Sequence, residues 1–309
     1  MDDNNIINWL LEGDVSIQYQ VYRDLLSEDR EDLRNRIATE GWGKKFLSFQ
    51  DENGHWGRKF YQPKWTSTHY TLLDLKNLGI SPANHRIRKT ILMLLDEEKG
   101  EDGGINPSHE IKESDVCLNG MFLNYAAYFN SDESKLKSII DFILLQKMED
   151  GGFNCRFNRS GARHSSLHST LSVLEGIQEY SINGYRYRLP ELKKVEKTSR
   201  EFILSHRLYF SHRTNEIISK SFLKLSYPSR WKYDILRALD YFRSAEIPFD
   251  ERMKPAIDLL LKKRKENKYW LLQANHPGQT HFDMEDVGKP SRWNTLRALR
   301  VIKHFGNSD

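Results

Sequence analysis

An apolar helical pattern that runs into an acidic, glycine-rich turn recurs along this chain about every fifty residues, and self-similarity of that period restricts the fold more than any single motif does. The turn reads FLSFQDENGHWG at 46–57, MLLDEEKGEDGGI at 93–105 and FILLQKMEDGGFN at 142–154. Its glycines Gly54, Gly104 and Gly152 stand 50 and 48 residues apart. Degenerate copies occur in FILSHRLYF (202–210) and LLLKKRKENKYW (259–270).

After each turn come a long linker and a second amphipathic segment: 66–79, 114–129, 165–177, 229–242 and 291–305. Apolar positions recur there at three- and four-residue spacing, which is the period of a helix buried along a stripe. No period-two strand competes. The first helix of each pair carries the charges, as in DERMKPAIDLLLKKRKE (250–266), whereas the second is more apolar and richer in small residues. With the N-terminal pair in IINWLLEGDVSIQYQVYRDLLS, the count reaches six helical hairpins. The expectation is an all-α, single-domain (α/α)6 toroid over 1–309, with atypical N-terminal helices in 1–40 and repeat-bearing hairpins in 41–305. An open solenoid of helix pairs is the alternative.

Composition narrows the function classes. The longest apolar runs, such as ILMLL at 91–95, fall far short of the roughly 20 residues that a membrane-spanning helix needs. The start, MDDNNIINWLLEGD, shows no basic segment followed by a cleavage site. A net charge of +4, with Lys and Arg interspersed among Asp and Glu, does not point to nucleic acid. Two cysteines, Cys117 and Cys155, cannot build a disulfide framework, and a cytoplasmic location is the expectation.

The Gln…Gly-x-Trp pattern of FLSFQDENGHWG resembles the repeat of squalene–hopene cyclases, and MEDGGF is similar to the matching turn of protein prenyltransferase β subunits. Both belong to the α/α-toroid superfamily, and the likeness covers about 40–305. The chain also resembles small bacterial proteins carrying prenyltransferase or squalene-oxidase repeats. The resemblance implies the toroid fold and leaves the activity open, because one fold hosts many.

Linkers from first to second helix are long (51–65, 99–112, 148–164, 207–228, 267–290), whereas returns to the next hairpin are short. The long loops therefore share one mouth with the N-termini of the second helices, whose free N–H groups favour an anion. Arg163, His164, Arg230 and Arg292 stand at these starts, suited to gripping phosphate or carboxylate. His206, Arg207, His212 and Arg213 lie in one of the loops.

Aligned on their apolar pattern, STHYTLLDL (67–75), DVCLNGMFL (115–123) and SLHSTLSVL (166–174) place His69, Cys117 and His168 at one level, with Tyr233 and Trp293 at the same level in later helices. Cys, His and Asp are zinc ligands, and an open catalytic zinc takes three protein groups. The resemblance to prenyltransferase β subunits, with their Asp-x-Cys pair and later His, implies Asp115, Cys117 and His168 as that set. Two features depart from it: Leu118 follows the cysteine where the family has an aromatic residue, and the aromatic bore that holds an isoprenoid is thinner, with Tyr70, Phe122, Tyr125, Tyr233 and Trp293 as its candidates here. Residues at i and i+2 of a helix also do not face one way. The alternative is that Asp115 caps the helix and Cys117 is a small core residue.

HFDMEDVG (281–288) is similar to the Asp-x-Asp-Asp acid of class II terpene cyclases, which would make Glu285 the proton donor. A glycan-processing site would instead need facing carboxylates, and Asp115 with Asp234 or Asp283 supplies that set. RHSSLHS (163–169) brings serines and histidines together without a nucleophile elbow, and the Gly-rich turns lack a full calcium-ligand spacing. The expected function is an enzyme or binder of an anionic, partly apolar small molecule of the isoprenoid-diphosphate type, with zinc as the one candidate cofactor. His69, Arg163, His164, Arg230, Tyr233, Asp234, Arg292 and Trp293 would contact the ligand. The competing class is a non-catalytic toroid holding a peptide, a glycan or a protein partner through the same mouth.

Overall fold

The computed structural model describes residues 3–107 and 111–306, with side chains from residue 5 onward. About 55% of the chain is helical, and a two-stranded ladder is the one sheet among the described residues, so the fold is all-α. The helices are α1 (Asp3–Leu11), α2 (Val15–Val21), α3 (Glu31–Arg36), α4 (Gly41–Ser48), α5 (Thr68–Leu78), α6 (His85–Glu97) and α7 (Val116–Tyr128). After these come α8 (Glu133–Leu145), α9 (Phe157–Ser160), α10 (Leu167–Ile182), α11 (Leu189–Ser205), α12 (Ile235–Ser244), α13 (Lys254–Lys262) and α14 (Arg292–Phe305). Each predicted second helix is present. The chain divides into two compact units: unit 1 holds Met1–Phe49, Asn77–Ser81 and Ser205–Asp309, and unit 2 holds Gln50–Lys76 and Pro82–Leu204.

Unit 2 shows why the sequence repeats. The residue after each glycine turn docks onto the helix that follows through one polar side chain. Ile105 donates its N–H to Asn119 Oδ1 at 2.7 Å and accepts from Asn119 Nδ2 at 3.0 Å. Phe153 pairs in the same way with Thr170 Oγ1, at 3.0 and 3.4 Å, and Trp56 with Thr68 Oγ1, at 3.0 and 3.2 Å. These bonds satisfy buried backbone groups that would otherwise be costly. Asn119 and Thr170 keep the aligned register, while Thr68 stands one helical turn early. The helices bearing these docks, α7 and α10, are buried nearly all round, whereas α6 buries one stripe of Ile87, Ile91, Leu94 and Leu95.

The acidic residues of the turns have a second task. Asp102 accepts the Ser114 N–H and hydroxyl, both at 2.7 Å. Asp150 accepts the Ser165 N–H at 2.8 Å and its hydroxyl. Each clamp fixes where the chain enters the next helix.

In unit 1, α14 packs against α12 and α2. The dock recurs there: Trp270 donates its N–H to Thr295 Oγ1 at 3.0 Å. Trp270–Leu271 pairs antiparallel with Pro290–Ser291, a short ladder that the sequence did not signal because two residues carry no periodicity. A buried ionic cluster ties the unit together, with Arg300 reaching both Asp240 and Asp24.

Candidate functional site

In unit 2 the first residues of α5 and the loop before it gather aromatic rings around His69. The imidazole is fully buried, and its Nδ1 lies 3.2 Å from the Tyr125 hydroxyl. Phe60, Tyr70 and Tyr125 meet it edge-on with centroids at 5.5, 4.8 and 5.6 Å, and Tyr61 is tilted against it at 5.5 Å. Phe122 closes the set, 5.0 Å from Tyr125 and 6.2 Å from Phe60. Burial lowers the His69 pKa to about 3, so the ring is neutral at ordinary pH. Its Nε2 is buried with no hydrogen-bond partner among the described residues, an uncommon condition for a polar atom in a core.

Tyr61 links this cluster to its rim. Its hydroxyl lies 2.9 Å from that of Tyr70, and burial raises its pKa to about 12. The charges of Asp115 and Arg159 act on the same hydroxyl. Asp115 stands at the N-cap of α7 without capping it; its carboxylate pairs instead with Arg159 at 3.0 Å. Burial raises the Asp115 pKa and the Arg159 charge opposes that rise. Both side chains remain partly exposed, so the pair is reachable from solvent.

The structure does not assemble the expected zinc ligands. Cys117 is bonded to Cys155, Asp115 is held by Arg159, and no group of three His, Cys, Asp or Glu able to hold a metal occurs among the described residues. A coordinating cysteine must be a thiolate, and a disulfide sulfur offers none. The residues therefore do not fit the metal. His168 sits half-buried in the first turn of α10, with its carbonyl accepting the Ser172 hydroxyl. Arg163 and His164 are exposed, and His164 contributes its carbonyl to Asn154 Nδ2 at 2.8 Å.

Unit 1 holds the other sequence candidates. Glu285 accepts the N–H groups of Arg292 and Trp293, at 2.7 and 3.2 Å, and the Ser291 hydroxyl. This is the acidic clamp again, here on α14. Burial raises the Glu285 pKa and those donors oppose the rise without cancelling it. Arg292 donates from Nε to the Trp9 carbonyl at 3.0 Å and lies over the Trp9 ring. Trp293 stacks against Tyr227 at 4.5 Å and Trp42 at 6.1 Å, with its Nε1 buried and unpartnered among the described residues. Tyr233 donates to the Leu208 carbonyl at 2.5 Å. Asp234 caps α12 through the Arg237 N–H at 2.8 Å and accepts from Ser226; burial raises its pKa against the Arg297 charge. Arg230 is buried in a left-handed conformation, and Asp283 accepts from Thr280 at 3.5 Å.

Sequence reasoning named His69, Tyr70, Phe122, Tyr125 and Asp115 but missed Phe60, Tyr61 and Arg159. The signal for the first two was the aromatic run KFYQPKW (59–65) within a long loop. Arg159 had none, since only the short helix α9 turns it toward α7.

No protein-family model matches the chain, and no curated protein matches it either. Among solved structures, it is similar to the apo form of the type II terpene cyclase MstE from Scytonema, with a TM-score of 0.48 and 12% identity over 97% of each chain. It is also similar to a variant of that cyclase in complex with geranylgeranyl dihydroxybenzoate, with a TM-score of 0.47, 12% identity, and 97% and 96% of the two chains covered.

Proposed function

We propose that unit 2 binds a small, partly apolar molecule with an anionic head, of the prenyl diphosphate class. The observation that carries this reading is the His69 Nε2, a buried nitrogen with no partner among the described residues, inside a ring of five aromatic side chains. Aromatic faces suit an unsaturated hydrocarbon chain, and a few polar atoms among them fix its orientation. Arg159, half-exposed at the rim and already oriented by Asp115, supports the place of the head group.

Titration calorimetry with geranylgeranyl diphosphate and with geranylgeraniol tests this. Saturable binding of both is expected, with Arg159→Ala weakening the diphosphate by about tenfold and leaving the alcohol unchanged. Tyr61→Ala weakens both. Absence of saturable binding for either compound, or an equal loss for both in Arg159→Ala, overturns the reading.

A further inference from the structure

Cys117 and Cys155 lie 38 residues apart in sequence and are joined by a disulfide, with Cα atoms 6.1 Å apart. The bond is one of several ties between α9 and the start of α7. Asn158 Nδ2 donates to the Ser114 carbonyl at 3.0 Å, and Arg159 reaches the Glu113 carbonyl at 3.4 Å as well as Asp115. Around the sulfurs, the Cys117 N–H and the Ser169 hydroxyl lie 3.2 and 3.4 Å from Cys155 Sγ.

The segment carrying α9 is anchored at both ends, by Phe153 docked on Thr170 and by Ser165 clamped to Asp150. Between those anchors most residues are exposed, and exposed polar ties hold a loop only weakly. The disulfide is therefore the tie that decides where α9 rests. Both cysteines are half-buried, so a small thiol can reach them, whereas the Phe153–Thr170 anchor lies deeper.

We propose that Cys117–Cys155 is a thiol–disulfide exchange site for a dithiol reductant, and that its redox state decides whether Arg159 is held on Asp115. In the exchange, a thiolate of the reductant attacks one sulfur and expels the other as a thiolate; the second thiol of the reductant then closes its own disulfide. Two electrons pass to the protein, Cys117 and Cys155 each take up a proton, and the reductant leaves as the cyclic disulfide. The effect on ligand affinity rests on the binding reading above; the exchange itself does not.

The test is limited proteolysis of the full chain, because trypsin can cut after Arg156 and Arg159 only when α9 leaves its seat. Excess dithiothreitol should speed cleavage at these two bonds by about tenfold, since cleavage follows the population of the open form. Cuts outside residues 154–164 should keep their rate, and circular dichroism should show the helix content retained. Cys155→Ser should be cut at the fast rate with or without reductant. Two maleimide-reactive thiols in air-equilibrated, denatured protein, or cleavage at Arg156 and Arg159 indifferent to dithiothreitol, overturns the proposal. Loss of geranylgeranyl diphosphate binding in both redox states would sink the binding reading alone and leave the exchange site standing.

Discussion

Gly120 and Gly176 meet where α7 crosses α10, so closely that a Cβ on Gly176 would lie 2.3 Å from the Gly120 carbonyl oxygen. A Cβ on Gly120 would lie 2.6 Å from the Ser172 carbonyl oxygen and 2.7 Å from the Val173 nitrogen. The obstacles are backbone atoms of a packed helix and cannot swing aside. Gly176→Ala should therefore lower stability by about 3 kcal/mol through overpacking, even though alanine is the better helix former. Urea unfolding of the variant is the check. A stability equal to that of the parent would mean that the two helices can separate at little cost.

Arg300 should be worth more than an ordinary surface cation. It bonds Asp240 and lies 2.9 Å from Asp24, with all three side chains largely buried. Burial alone would raise the Asp24 pKa, but the Arg23 hydrogen bond and the Arg300 charge outweigh it and bring it to about 2. A folded pKa below the unfolded 3.8 gives stability that is present above pH 3.8 and is lost as pH falls toward 2. Arg300→Met removes the cation shared by the two carboxylates while Asp24 keeps Arg23 and Asp240 keeps Arg243, and should cost about 2 kcal/mol at pH 7. Adding Asp240→Leu should deepen that loss, because Arg243 and Arg297 then lose the carboxylate they share. Equal costs for the single and double variants would rule this account out.

His69 predicts a different acid window. The unfolded chain takes up this proton near pH 6.5, whereas the buried ring does so only near 3. Between those values the unfolded state binds more protons, so stability is constant above 6.5 and falls as pH drops through the window, by up to about 1.4 kcal/mol per pH unit. His69→Phe removes that slope. The variant should be the weaker protein at pH 7, where Tyr125 has lost its partner, and should overtake the parent near pH 5 in thermal melts. Parallel melting curves across the range would show that the imidazole is not buried.

The helices were legible because a period of about fifty residues repeats turn chemistry as well as hydrophobicity. The segment 291–305 was expected to be helical and Arg292–Phe305 is; 114–129 was expected and Val116–Tyr128 is found. The alignment also carried the docking register, since Asn119, Thr170 and Thr295 fall at one position. It gave height along a helix, however, and not what covers the helix. The alignment put Cys117 at the level of the histidines, yet its partner arrives from a loop 38 residues later. Arg163 stands nearer a helix start in sequence than Arg159 does, but the four-residue α9 decides which guanidinium reaches Asp115. Loop conformations of this kind depend on tertiary contacts with no sequence period.

The acidic clamps make a ranked prediction, because the same chemistry recurs at different depths. Asp102 accepts two bonds from Ser114, which is fully buried, and a third from the Gly104 N–H at 3.1 Å. Asp102→Ala leaves the N–H and hydroxyl of the buried Ser114 without their acceptor. An unmet buried donor costs about 1–3 kcal/mol, and the upper part of that range is expected here. Asp150 makes the equivalent bonds to Ser165, but in an exposed setting where water can replace the carboxylate. Asp150→Ala should therefore cost about 1 kcal/mol or less. Ser114→Ala, which removes the hydroxyl while keeping the N–H bond, should fall between the two. Denaturant midpoints of the three variants give the order directly. If Asp150→Ala were as damaging as Asp102→Ala, bond number rather than burial would govern the clamps, and the repeat turns would owe their acids to something other than desolvation.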